Sequence, residues 1–132
     1  MSFIRLPAAR LFLASLLAAA LPALDAAAAP AEEAKKIEYL IRSVEQTSNA
    51  KFIRNGKTYD AHAAAAHLRE KLRAGEGRIR TADDFIRYCA SGSSVTGKPY
   101  QIRFDDGKVL TSEQFLRAKL RELDQRAAPR KR

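Results

Sequence analysis

A chain of 132 residues with 24 lysines and arginines against 15 acids, a net charge of +9, can bury one core but is too short for two domains or for the broad sheet of a nucleotide-binding enzyme. Its one cysteine, Cys89, excludes an intramolecular disulfide, so packing has to hold the core. The basic excess favours anionic partners.

Taken in chain order, Arg5 and Arg10 precede the apolar run Leu11 to Leu21, and Ala26-Ala27-Ala28 offers small residues to a signal peptidase. Pro22 and Asp25 interrupt the run before the ~20 residues that a membrane span requires. Residues 1–28 are therefore expected to be a cleavable export signal that leaves no transmembrane anchor, and the mature protein is expected in the periplasm. Without Arg5, Arg10 and Asp25, 22 basic and 14 acidic residues remain, a net charge of +8. The partners expected there are an anionic envelope component or a periplasmic protein. Only Tyr59 and Tyr100 interleave with the basic residues, too little for a nucleic-acid surface.

Pro30 to Asn49 predicts a first helix, with Ile37, Leu40, Ile41 and Val44 on one face. Lys51 to Tyr59 centres on Asn55-Gly56, a pair that tolerates positive φ, and predicts a hairpin with Phe52 or Ile53 and Tyr59 inward. Asp60 caps a second helix, Ala61 to Ala74, whose thin face of Ala61, Ala64, Ala65, Leu68 and Leu72 suits close helix packing. Thr81 opens a third helix in a capping box with Asp84 and buries Ala82, Phe85, Ile86 and Cys89. Tyr100 to Phe104 alternates as a half-buried strand, Asp105 to Lys108 turns, and Val109-Leu110 returns. Thr111, with Gln114, caps a last helix that faces inward through Phe115, Leu116, Leu120 and Leu123. The fold class is thus α+β: about four helices with one or two short β-hairpins, in a single small domain over residues 29–125. A basic tail, residues 126–132, is expected to be disordered.

The loop between the third helix and the strand carries the candidate chemistry. Gly92 to Lys98 fits the first seven places of a phosphate loop, but Pro99 stands where a magnesium-binding hydroxyl belongs, and helix precedes strand instead of following it. His62 and His67 lie about 140° apart around a helix and cannot form a metal pair; no cofactor or metal is expected. Three readings stay open. The Ser and Thr hydroxyls satisfy backbone groups in a scaffold loop, with Gly92 and Gly97 supplying unusual φ and Pro99 aligning the strand; Ser93, Ser94, Lys98 and Tyr100, with Arg54, bind an anionic or sugar ligand without catalysis; or Ser93 or Ser94 acts with Lys98 as nucleophile and base of a small hydrolase or transferase.

Several segments together, Ile37 to Ile41, Phe52 to Gly56 with Tyr59, Ala65 to Arg69 with Lys71, Thr81 to Ile86 and Ser93 to Tyr100, resemble the YfeK-like family of small exported bacterial proteins. The resemblance runs from about Lys35 to Leu120 and leaves out the basic tail. It implies export and a periplasmic location and, since the family is a domain of unknown function, no catalytic residue, cofactor or substrate.

Overall fold

The computed structural model describes residues 23–129. The segment expected to be an export signal lies mostly outside them, as do the last three residues of the basic tail.

Helix α1 spans Ala23–Glu45 and buries Ile37, Leu40, Ile41 and Val44, the predicted face. It starts seven residues before the expected Pro30 and carries that proline inside; alanine, the strongest helix former, fills residues 26–29 ahead of it. It ends four residues early. The Thr47 hydroxyl donates to the Ser43 carbonyl at 2.6 Å, and residues 46–49 turn the chain into a strand.

Four strands follow in two hairpins, β1 (Ala50–Arg54) with β2 (Lys57–Tyr59) and β3 (Gln101–Phe104) with β4 (Val109–Thr111). The expected hairpins are joined: β1 pairs antiparallel with β3, giving one sheet in the order β2-β1-β3-β4. Asn55 (φ 50°) and Gly56 (φ 76°) make the first turn, both in the left-handed region that a two-residue hairpin loop requires. Side chains alternate across a strand, so Ala50, Phe52 and Arg54 share a face with Tyr59 and Ile102, the cross-strand partners of Phe52, and with Lys57, the partner of Arg54. That face meets the helices. Phe52 and Ile102 are buried in it, and its residues turn polar towards the Asn55-Gly56 end.

Helix α2, Ala61–Ala74, has the predicted limits, with Asp60 Oδ1 accepting from the Ala63 N–H at 2.7 Å. It packs on α1 through Ala61, Ala65 and Leu68. Helix α3, Ala82–Phe85, opens with the expected capping box. Aspartate is long enough for it: Asp84 Oδ2 accepts from Arg80 N at 3.0 Å and from Thr81 N at 3.1 Å, which hold its pKa below the usual carboxylate value. The helix then widens into a π turn over Ile86–Ala90. Phe85, Ile86, Cys89 and Ala90 are all buried. In an α-helix Ala90 would lie about 140° from Phe85, and the i→i+5 turn swings it back to the core side. Helix α4, Ser112–Ala127, begins with the Thr111–Gln114 box and closes the core with Phe115 and Leu116. Among the described residues, no helix is long and apolar enough to cross a membrane.

Candidate functional site

The loop from Ser91 to Tyr100 is itself a narrow hairpin. Ser93 N donates to Lys98 O at 3.0 Å, Tyr100 N donates to Ser91 O at 3.1 Å, and Gly92 bridges Pro99. A Cβ on Gly92 would stand 2.9 Å from the Lys98 carbonyl, so only glycine permits this approach without a backbone shift. Ser93 is buried, its Oγ accepting from Val95 N and Thr96 N, each at 3.3 Å, and from Asn55 Nδ2 at 3.2 Å. Thr96 Oγ1 donates to Asn55 Oδ1 at 2.6 Å. One asparagine thus forms the β1–β2 turn and latches the loop to it.

Between the latched loop, the turn and α2 lies a concavity of about 410 Å³ lined by Arg54, Asn55, Lys57, Tyr59, His67, Lys71, Ser93, Ser94, Val95 and Tyr100. Strand alternation brings Arg54 to it on the core face beyond Phe52. Helix spacing brings His67 and Lys71, one turn apart on α2. Arg54 Nη2 donates to the Tyr59 hydroxyl at 3.0 Å, with the guanidinium 4.7 Å above that ring, and lowers the Tyr59 pKa. Arg54 Nη1 lies 2.6 and 2.7 Å from Nδ1 and Nε2 of His67. Only a neutral imidazole can accept there. Burial above all, then the charges of Arg54 and Lys71, depress the His67 pKa against the opposing effect of Glu70, which keeps the ring neutral.

Lys71 Nζ donates to the Tyr100 hydroxyl at 3.2 Å and to the Gly92 carbonyl at 3.1 Å, and His67 Nε2 stands 3.3 Å from the same hydroxyl. The Tyr100 hydroxyl thus accepts from Lys71 and lies within hydrogen-bond distance of His67. Arg54 and Lys71 present donors beside the hydroxyls of Tyr59 and Tyr100, and the lining contains no carboxylate. Lys71 and Ser94 also line a neighbouring groove of about 890 Å³ with Arg78, Arg80 and the exposed Tyr88, again without an acid.

Of the residues predicted from sequence, the concavity gathers Arg54, Ser93, Ser94 and Tyr100, but Lys98 is exposed and outside its lining. The oxygen of Ser93 is occupied by N–H donors. The pairing of either serine with Lys98 as nucleophile and base has no hydrogen bond behind it among the described residues. His67 and Lys71 were missed as site residues. Strand alternation past Phe52 and the i, i+4 spacing of His67 and Lys71 were the signals available. Cys89 is buried, and burial raises its thiol pKa. His62 projects from the other side of α2, 3.4 Å from Glu45. Among the described residues, no three His, Cys, Asp or Glu side chains gather as a metal site.

Residues 31–124 match a family described as a family of unknown function, DUF5329. The uncharacterized protein YfeK of Salmonella typhimurium is 41% identical over 70 residues, which cover 53% of this chain and 58% of that protein. The aligned stretch thus spans less than two thirds of that relative. No solved structure matches the chain.

Proposed function

Because the chain belongs to DUF5329, a family of unknown function, its role has to be read from its own site, and we propose that it binds an anionic component of the cell envelope without catalysing a reaction. One observation carries this. Arg54 and Lys71 converge on a concavity that has no acid in its lining, and among the described residues neither has a carboxylate at ion-pair distance. Donors left without a counter-charge, beside phenols able to bond the remaining oxygens, suit a phosphate or carboxylate group. The export signal read in residues 1–28 supports a periplasmic setting, where such groups are abundant on envelope polymers.

Binding of the protein to lipopolysaccharide, peptidoglycan and inorganic phosphate, measured across a salt series, tests this reading. Binding to at least one that weakens as salt rises is expected. No salt-sensitive binding to any of the three would remove the proposal.

A further inference from the structure

The concavity adjoins a second, apolar cavity of about 140 Å³ on the core side, with Phe52, Ala64, Leu68 and Leu116 among its walls. Arg54, Tyr59, His67 and Tyr100 belong to the walls of both, so the donor array and the apolar space are adjoining compartments. The space exists because α2 turns alanines, including Ala64, towards it where larger side chains would fill it. Protein interiors otherwise pack with few voids larger than a water molecule. An apolar cavity of about 150 Å³ stays dry and admits benzene, so this one has the size of a single ring or a short branched chain. A chain of membrane-lipid length exceeds it.

From this adjacency we propose that the site takes a compact amphiphilic anion, with its phosphate or carboxylate on Arg54 and Lys71 and a ring-sized apolar group in the cavity. The inference rests on the anion-binding reading and narrows it to a ligand class. Charge alone would leave the cavity without a purpose, and the cavity alone would not select an anion. Together they require both ends in one molecule.

Calorimetric titration of the full-length protein with phenyl phosphate, inorganic phosphate and phenol tests the proposal. Phenyl phosphate is expected to bind at least tenfold more tightly than either of the others, and Ala64→Leu, which fills the cavity, is expected to bring it to the level of inorganic phosphate. In the unmutated protein, nuclear Overhauser contacts from the phenyl ring should reach the Leu68 and Leu116 methyl groups. That measurement decides the matter even if Ala64→Leu does not fold, because contacts confined to exposed residues such as Val95 would refute the proposal. If inorganic phosphate binds and the phenyl group adds no affinity, this inference fails while the anion reading stands. If neither phosphate species binds, this inference fails, and the anion reading fails with it only when lipopolysaccharide and peptidoglycan also show no salt-sensitive binding.

Discussion

The cations of the helical face and those of the pocket are the same residue types put to opposite use. On the helices, Arg69 bonds Glu45 at 3.1 Å and Glu38 at 3.4 Å, Arg117 bonds Asp83 at 2.7 Å and Glu113 at 3.0 Å, and Lys36 lies 3.4 Å from both Glu33 and Asp124. Around the pocket, among the described residues, Arg54 and Lys71 bond only a histidine, two phenols and a carbonyl. The helical charges are cancelled within the fold and tie elements together. Those of the pocket are held in place by neutral groups and keep their full attraction for an outside anion. The count of basic residues does not separate the two uses, but the identity of their partners does.

The sharpest way to break this contrast is to remove one cation from each side. Arg54→Gln should weaken phosphate binding by about tenfold to a hundredfold, the worth of charge-assisted hydrogen bonds at ~1.5–3 kcal/mol. It should change the thermal melting temperature little, since the lost bonds to Tyr59 and His67 are offset by relief of the repulsion from Lys57 and Lys71. Calorimetry and a melting curve on one preparation check both halves. Arg69→Met should do the reverse, costing no binding and about 1 kcal/mol of stability, as a half-buried surface pair does. Urea titrations at low and high salt should show that cost fading as salt screens the pair.

The smallest effect expected is a pH dependence at His67. Its folded pKa lies below the unfolded value of about 6.5, so between the two the unfolded chain binds a proton that the folded ring refuses. Stability is therefore expected to fall as pH drops below about 6.5 and to level off below the folded pKa. Burial sets the direction, Arg54 from β1 and Lys71 from α2 reinforce it, and Glu70 opposes them. Melting curves of the protein and of His67→Gln from pH 7 to 5 should differ in slope. The lowered carboxylates Glu45 and Asp84 lose their contribution at lower pH, below their unfolded values, and so do not obscure the window.

Local chemistry was legible in the sequence. The limits of α2, both threonine capping boxes and the Asn-Gly turn follow from rules that act over four or five neighbouring residues. Three features were not. The joining of two hairpins into one sheet depends on Phe52 facing Ile102, a pairing that no local pattern announces. The π turn follows from the need to bury Ala90 beside Phe85, which only the finished core imposes. The site was half visible: Arg54 and Tyr100 stand out as polar residues beside a turn and a loop, while His67 gains its role from Lys71, its neighbour one turn along the helix, and from strand residues that only the fold brings near.

The β1–β3 pairing also has a kinetic side. Phe52 and Ile102 are fifty positions apart in sequence, so the chain must close a long loop, with α2 and α3 inside it, before the central strands can meet. Residues 93–100 meet residues 54–59 and 67–71 across that loop, so the pocket belongs to the folded chain alone. A ligand that needs the pocket binds the folded chain and not the unfolded one, and is expected to raise the melting temperature as its concentration rises.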